Sequence, residues 1–265
     1  MDSPADLSLR SVADIYDEPW IAWTLRTAGG HLHPGREVAT VNLVEKAAHF
    51  GFPSGGLVLE VASALGGPAR VVARHFSATM ICVDMNPMMQ RALRAAAWQE
   101  GIGHRCQAVL ARTEHLPIRD GSLDGAWSQD AMCHMDKPAV VAEVARVLKP
   151  GGTFAFTDWI ARAALSREDW EAVAREWGFP SLFTPAEYVG VLAANGFDLL
   201  LAEDRSLALA GHRAPTPADQ ERFEDAYASR WGEAELARQK APGEAWQALA
   251  AQGKAGVGMF VARKR

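Results

Sequence analysis

Asp130 and His134, four positions apart, are the residues of this sequence best suited to acid–base chemistry. If the segment between them makes one helical turn, both side chains face the same way. A carboxylate and an imidazole that converge could orient an amine and take or relay its proton. The alternative is a loop acid that caps a helix beside a buried, hydrogen-bonded histidine. The spacing favours the first interpretation.

Two further acids, Glu60 and Asp84, each stand at the carboxyl end of a short apolar run. An acid just past the second run is placed to hold a ribose, because one carboxylate can accept hydrogen bonds from both hydroxyls. The alternative is an acid that complements the dipole of the following helix. Because Glu60 and a loop of small residues stand beside it, we expect Asp84 to hold a ribose diol.

The loop after Glu60 is built from small residues. Gly66 and Gly67 allow a close approach of the backbone to a ligand, whereas Ala62 and Ala64 stand where glycine would be more permissive. Access for a ligand is retained if neither alanine needs a positive φ. A strand, a tight loop and a helix N-terminus together predict a pocket for a nucleotide-like ligand.

Alternating apolar runs and amphipathic segments predict the elements that carry these residues. The predicted strands are 57–61, 79–83, 106–110, 123–127, 153–157, 197–201 and 256–262. Short loops between strands and helices predict an α/β fold, with a Rossmann-like, doubly wound, seven-stranded and mostly parallel sheet and helices on both faces. Its ligand site would lie at the carboxyl ends of the strands.

We expect one domain over residues 1–265. Its parts would be an N-terminal helical cap (1–55), a cofactor-binding core (56–159), a lid and helix (160–196) inserted after strand five, and C-terminal strands and helices (197–265). Two predicted helix starts have local signals. Residues 184–187 read as a capping box, and Asn86 as an N-cap.

The composition indicates which classes of binding partner are not expected. Apolar residues make up 49% of the 265 residues and the net charge is −5, which predicts a packed core and no nucleic-acid partner. The sequence shows no membrane-spanning run, so no membrane partner is expected. Three unpaired cysteines indicate a reduced, cytoplasmic protein, and eight scattered histidines predict no metal site.

A resemblance to a known family covers about residues 12–263. Its motifs are Val58-Leu59-Glu60-Val61 with Gly66-Gly67, then Asp84, Leu116-Pro117, Ser122-Leu123-Asp124 and Arg146-Val147-Leu148-Lys149-Pro150-Gly151-Gly152. They resemble those of class I S-adenosylmethionine-dependent methyltransferases. More narrowly, Trp127-Ser128-Gln129-Asp130-Ala131 with His134, and Phe156-Thr157-Asp158-Trp159, resemble the glycine/sarcosine/dimethylglycine and phosphoethanolamine N-methyltransferases.

The resemblance implies S-adenosylmethionine as cofactor, S-adenosylhomocysteine as product, and a set of contacts. Asp84 would hold the ribose and Met85 would lie against adenine. His33 belongs to a glycine-rich loop that would close over the cofactor. The remaining implied cofactor contacts are Glu60, Ala62, Ser63, Gly66, Arg112, Thr113 and Gln129.

The resemblance also implies the acceptor site. Asp130 and His134 match an aspartate and a histidine that bind and deprotonate an amine in the phosphobase enzymes, together with a tyrosine for which Tyr16 is the nearest candidate. Trp159, where those enzymes have a phosphate-binding tyrosine, argues against a phosphorylated acceptor. Trp159, Trp177 and Trp20 would instead line a pocket for an apolar or cationic small molecule.

The predicted activity is therefore methyl transfer to a small molecule, most consistent with an amine nitrogen, by a monomer or homodimer. One alternative is a C-, O- or S-methyltransferase of a specialised metabolite, because the fold does not fix the acceptor. Another is a binding protein descended from a methyltransferase. A NAD-dependent dehydrogenase is disfavoured by the glycine pattern.

Overall fold

A computed structural model describes residues 29–206, 221, 224–225, 228–229, 232–240 and 244–265. The predictions for Tyr16 and Trp20 lie outside these residues. So do the first 28 residues of the predicted cap and part of the C-terminal segment predicted over 197–265. The division of the chain into four parts stays a prediction.

The described part of the chain alternates strands and helices. Its helices are α1 Arg36–His49, α2 Gly67–His75, α3 Pro87–Gln99, α4 Lys137–Val147, α5 Arg167–Trp177, α6 Pro185–Ala194, α7 Glu233–Lys240 and α8 Glu244–Ala251. Its strands are β1 Leu57–Val61, β2 Thr79–Asp84, β3 Cys106–Leu110, β4 Leu123–Gln129, β5 Leu148–Ala161, β6 Phe197–Asp204 and β7 Ala255–Lys264. A 3₁₀ turn, Met132–His134, lies between β4 and α4.

The seven strands form one sheet in the order β3-β2-β1-β4-β5-β7-β6. The first five strands pair in parallel, and β7 runs antiparallel to both β5 and β6. This confirms the predicted seven-stranded, mostly parallel α/β fold. The order reverses at β1, between β2 and β4, which is where a doubly wound sheet opens a ligand crevice.

Each face of the sheet carries its own apolar core. Leu59 and Val61 of β1 pack on one face with α4 and α6, whereas Val58 packs on the other with α1, α2 and α3. This split follows from the alternation of side chains along a strand. Helices therefore cover both faces, as predicted.

Local capping signals are confirmed. The Asn86 side chain accepts hydrogen bonds from the N–H groups of Met88 and Met89, at 2.9 and 3.3 Å. Thr184 and Glu187 form the predicted capping box at the start of α6. Both motifs need only residues close in sequence, which is why the pattern identifies them.

The prediction for strand five is wrong in extent. β5 begins at Leu148 and ends at Ala161, so Asp158 and Trp159 lie inside the strand rather than closing it. The strand is longer than predicted because β7, which is distant in sequence, pairs with β5 along this stretch. This pairing places Gly258 opposite Asp158. Gly258 lies within β7, where an added Cβ would come within 2.6 Å of the Phe260 ring. A helix, α5, lies in the segment predicted as a lid, and the lid role stays a prediction.

Candidate functional site

The carboxyl ends of β1, β2 and β4 lie side by side, because β1 pairs with both neighbours. Loop residues 62–66, the pair Asp84 and Met85, and the segment that follows Gln129 therefore share one edge of the sheet. The sequence predicted this edge as the ligand site.

Asp84 joins two of these segments. Its Oδ2 accepts a hydrogen bond from the Ala64 N–H at 2.9 Å, and its Oδ1 accepts one from the Asn86 N–H at 2.8 Å. Burial raises the pKa of this carboxyl, and the N–H donors act in the opposite direction. A carboxylate has about four acceptor positions. Asp84 therefore keeps acceptor capacity for a hydroxyl of a ligand.

Ala62 and Ala64 both have left-handed backbones, with φ of 49° and 45°. Free access for a ligand was predicted on the condition that neither alanine needs a positive φ, and both alanines have one. A left-handed L-residue costs about 1–2 kcal/mol relative to its right-handed form. The loop has the shape that glycine would adopt freely, and the two alanines hold it at a cost in stability.

Glu60 is buried beneath the loop. Burial, and then Cys106, raises the pKa of its carboxyl well above the usual range, while Arg70 lowers it. Within the described chain its Oε2 has no hydrogen-bond partner. Ser63, in the same loop, accepts a hydrogen bond of 2.8 Å from Gln90 of α3. The expected cofactor contacts of Glu60 and Ser63 stay predictions.

The loop formed by residues 29–35 packs directly on the small-residue loop. A Cβ at Gly67 would lie 2.7 Å from the Gly30 oxygen. His31, His33 and Thr40 form a buried cluster behind this contact: His31 Nδ1 lies 3.4 Å from His33 Nε2, and the Thr40 hydroxyl lies 3.3 and 3.2 Å from these two nitrogens. His33 therefore lies close to the predicted cofactor loop.

Apolar side chains are exposed next to Asp84. Met85 is 57% exposed and Leu110, at the end of the neighbouring β3, is 60% exposed. Arg112 pairs at the surface with Glu114 at 3.3 Å. Thr113 is buried, and its hydroxyl donates to the Met135 sulfur at 3.1 Å. Leu110 was not among the predicted contacts, although its place at a strand end was a signal.

Gln129 and Asp130 follow β4. The Gln129 Oε1 accepts from the Trp127 indole at 3.2 Å, and its Nε2 is without a partner among the described residues. Asp130 has a φ of 50°, and its N–H donates to the Thr157 carbonyl at 2.8 Å. Its Oδ1 is buried and likewise finds no partner within the described part of the chain.

The predicted helical turn from Asp130 to His134 is wrong in its geometry. The 3₁₀ turn starts at Met132, and the left-handed Asp130 lies before it. His134 packs edge-on against Phe179, with ring centroids 5.0 Å apart. Burial, assisted by the charge of Lys137, lowers the pKa of His134 to about 4. The imidazole is therefore neutral at neutral pH.

The described residues fit a nucleoside with a ribose and a flat base. Asp84 offers acceptor positions, Met85 and Leu110 offer apolar surface, and the Gln129 amide offers a buried donor. No group of three or more metal-ligating side chains occurs in the described ranges. None of the described helices is long and apolar enough to cross a membrane.

Comparison with known proteins agrees with this geometry. Residues 59–156 match the family model described as a methyltransferase domain. These residues therefore form a methyltransferase domain, and the fold is that of class I methyltransferases. S-adenosylmethionine is the cofactor of this family. The predicted family, enzyme class and cofactor are thus confirmed at the level of the domain.

Two curated relatives of this methyltransferase domain act on different atoms. The 24-methylenesterol C-methyltransferase 2 of Oryza sativa subsp. japonica is 29% identical over 211 residues, covering 74% of this chain and 56% of the relative. The dimethylglycine N-methyltransferase of Parasynechococcus marenigrum is 30% identical over 161 residues, covering 60% and 58%. The chain thus spans somewhat more than half the length of each.

Solved structures share the whole fold. A putative sarcosine dimethylglycine methyltransferase from Galdieria sulphuraria superposes with a TM-score of 0.81 at 23% identity, covering 92% of this chain and 96% of that one. The Haemonchus contortus phosphoethanolamine N-methyltransferase 2, solved with S-adenosyl-L-methionine, gives 0.76 at 19% identity, covering 94% and 57%. Both N-methyltransferase groups named from the motifs are therefore similar to this chain in fold.

A buried polar network lies behind the Asp130 segment, and the sequence did not reveal it. The Tyr188 hydroxyl donates to Asp158 Oδ2, and the Cys133 N–H donates to Asp158 Oδ1 at 3.1 Å. Burial raises the pKa of Asp158, whereas the nearby charge of Lys137 lowers it. Burial also raises the pKa of Asp130 well above its usual range, and the charge of Asp158 adds to this.

Lys137 completes the network from the start of α4. It is fully buried, and its Nζ donates to the carbonyl and the hydroxyl of Ser181 at 2.7 and 3.2 Å. The ammonium also lies 5.2 Å from the centre of the Phe183 ring. Asp158 lies in the family-like motif Phe156-Thr157-Asp158-Trp159, whereas no local pattern marked Tyr188 or Lys137.

Aromatic rings form a wall next to His134. Trp159 lies 5.5 Å from Trp177, 5.7 Å from Phe179 and 4.2 Å from Trp246, measured between ring centroids. Trp159 and Trp177, two of the three tryptophans predicted to contact the acceptor, are thus neighbours. Trp127 is not part of this wall: it is fully buried in the core with Phe52 on the other side of the sheet.

Proposed function

We propose that this protein transfers the methyl group of S-adenosylmethionine to an amine nitrogen of a small-molecule acceptor. Asp130 would position the acceptor, and His134 would act as base or proton relay. The observation that carries the proposal is the buried Asp130 Oδ1, which has no partner in the described part of the chain and lies in the segment that leads to His134. Such a carboxylate is suited to an N–H donor, because burying it without a partner is costly.

The cofactor supplies an electrophilic methyl group on a sulfonium, so the chain must align the acceptor, exclude water and manage one proton. Asp84, Met85, Ser63 and Gln129 would hold the cofactor, with the loop that contains His33 closing over it. Arg112 and Thr113 would flank the base. The loop from Glu60 to Gly66, which is left-handed at Ala62 and Ala64, would run along the rest of the cofactor.

The pKa directions support a division of labour between the two candidate groups. The raised pKa of Asp130 makes it a stronger proton acceptor than an ordinary carboxylate. The pKa of about 4 makes His134 a weaker base than an ordinary histidine. Of the two roles proposed for His134, base or proton relay, the lowered pKa favours the relay, and Asp130 keeps the positioning role.

A C-methyltransferase is the second candidate. The sterol relative covers a larger share of this chain than the N-methyltransferase relative does. The wall formed by Trp159, Trp177, Phe179 and Trp246 would suit an apolar acceptor as well as a cationic one. The assay must therefore include both kinds of acceptor.

The test is a methyltransferase assay against amines, amino acids, phenols, thiols and prenyl compounds, with products identified by mass. The amine proposal expects turnover of an amine that Asp130→Asn and His134→Ala each lower at least tenfold. Methylation confined to prenyl compounds or phenols would contradict it. So would full amine turnover in both variants.

A binding protein without activity is a separate alternative, because the two strained alanines lie in the cofactor loop. Calorimetry with S-adenosylmethionine and S-adenosylhomocysteine distinguishes it from an enzyme. Binding of both ligands supports the cofactor site, and no heat at millimolar ligand would contradict it. A cytoplasmic location, a monomer or homodimer, and the absence of a nucleic-acid partner stay predictions.

A further inference from the structure

Arg70 connects three separate segments around the cofactor loop. It lies in α2 with only 5% of its side chain exposed. One guanidinium nitrogen donates to the Gly29 carbonyl, a second to the Leu65 carbonyl at 2.9 Å, and Nε to the Glu100 carboxylate at 2.8 Å. A planar guanidinium can donate in three directions at once, which an ammonium on a flexible stem does less well.

The segments joined by Arg70 also touch each other. A Cβ at Gly67 would come within 2.7 Å of the Gly30 oxygen and 2.8 Å of the His31 ring, so only glycine allows this approach. A Cβ at Gly30 would lie 3.2 Å from Leu65. The loop of residues 29–35 thus rests on the cofactor loop, and Arg70 ties its first residue down.

We propose that Arg70 is a positioning residue that holds the loop of residues 29–35 closed over the cofactor cleft. The inference rests on the proposed cofactor site, since this loop carries His33. Arg70 acts through the Gly29 and Leu65 carbonyls, without itself touching the cofactor. Its loss should open the loop and speed the departure of bound ligand.

The positive charge of Arg70 alone does not explain how it joins three segments. A variant that keeps the charge tests this. Arg70→Lys keeps the cation near Glu60 and Glu100 but cannot reach all three acceptors together. Gly67→Ala leaves Arg70 intact and pushes directly on Gly30. Gly67 is not in a left-handed conformation, so this variant adds a contact without backbone strain.

Arg74→Lys is the matched control. Arg74 lies one turn further along α2, is 48% exposed and pairs with the same Glu100, but among the described residues its side chain donates no hydrogen bond to either loop. A loss of the Glu100 ion pair alone would therefore affect both arginine variants alike. A loss of the clamp would affect only Arg70→Lys and Gly67→Ala.

The experiment measures S-adenosylhomocysteine dissociation by stopped flow, and amide hydrogen exchange of residues 29–35 without ligand. We expect dissociation about tenfold faster in Arg70→Lys and Gly67→Ala, equivalent to loss of one charge-assisted hydrogen bond, and faster exchange of the loop amides. Arg74→Lys should stay within twofold of wild type.

Two outcomes separate this inference from the proposed function. If wild type does not bind S-adenosylhomocysteine, the proposed cofactor site is wrong, and the exchange measurement alone decides whether Arg70 holds the loop. Exchange and dissociation rates in Arg70→Lys and Gly67→Ala equal to those of Arg74→Lys would overturn the clamp.

Discussion

The backbone N–H of Ala64 donates a hydrogen bond of 2.9 Å to Asp84 Oδ2, which ties the loop after β1 to the end of β2. The other oxygen of Asp84 receives the Asn86 N–H. The carboxylate thus fixes two backbone segments and still faces the ligand crevice. One residue shapes the site and is proposed to bind the ribose.

Asp84→Asn should weaken cofactor binding. An amide has one acceptor oxygen, so one of the two N–H groups would lose its partner at a cost of about 1–3 kcal/mol. We expect S-adenosylhomocysteine affinity to fall at least tenfold by calorimetry. Asp124→Asn is the control, because Asp124 accepts the Leu57 N–H at 2.9 Å, at the start of β1 rather than at its end. Equal loss of affinity in both variants would refute the role.

Ala62→Gly and Ala64→Gly should each stabilise the protein by up to about 1 kcal/mol, since relief of the left-handed strain outweighs the extra chain entropy of glycine. Urea unfolding measures the change. Ala95→Gly is the control, because Ala95 is exposed within α3 and glycine there should lower stability by about 1 kcal/mol. Destabilisation by all three variants would show that the loop alanines are not strained.

Ala62 and Ala64 illustrate which features the sequence predicts and which it does not. The seven strands, the capping residues and the edge of the sheet that holds the site followed from local patterns. The sign of φ at Ala62 did not, because an alanine carries no mark of a left-handed backbone. Tyr188 and Asp158 meet only once α6 packs on the sheet, and Arg70 reaches Gly29 across 41 positions.

Tyr188→Phe should destabilise the protein by about 1–3 kcal/mol at pH 8, because the Asp158 carboxylate loses a buried hydrogen-bond donor. The variant raises the folded-state pKa of Asp158 further, so its cost grows as pH rises and shrinks toward acid pH, where Asp158 holds a proton. Denaturation at several pH values measures this.

Phe260→Leu serves as the control for Tyr188→Phe. Phe260 packs against the Tyr188 ring, with centroids 5.0 Å apart, and carries no polar atom. It should destabilise equally at every pH. A pH-independent loss in Tyr188→Phe as well would mean that only packing had been disturbed.

Asp130→Asn should make the protein more stable at neutral pH while lowering activity. The folded-state pKa of Asp130 is raised, so the folded protein holds the proton more tightly and loses stability as pH rises from the ordinary carboxyl value through the raised one. Asparagine does not ionise, and its stability curve should lack that decline.

Asp136→Asn is the comparison for this prediction. Asp136 caps α4 by accepting the Ala139 N–H at 3.1 Å, a role that asparagine can also fill. Neither stability nor activity should change. If Asp130→Asn followed the wild-type dependence on pH, Asp130 would not be a buried carboxylate of this kind.

The position of β7 has a consequence for synthesis of the chain. It is the last of the seven strands in sequence, yet it lies between β5 and β6 and pairs with both. β5 can pair with β4 early, but β6 cannot join the sheet until residues 255–264 have left the ribosome. Until then β5 presents an unpaired edge to other chains, so nascent chains that stall before this point should be the ones prone to aggregate.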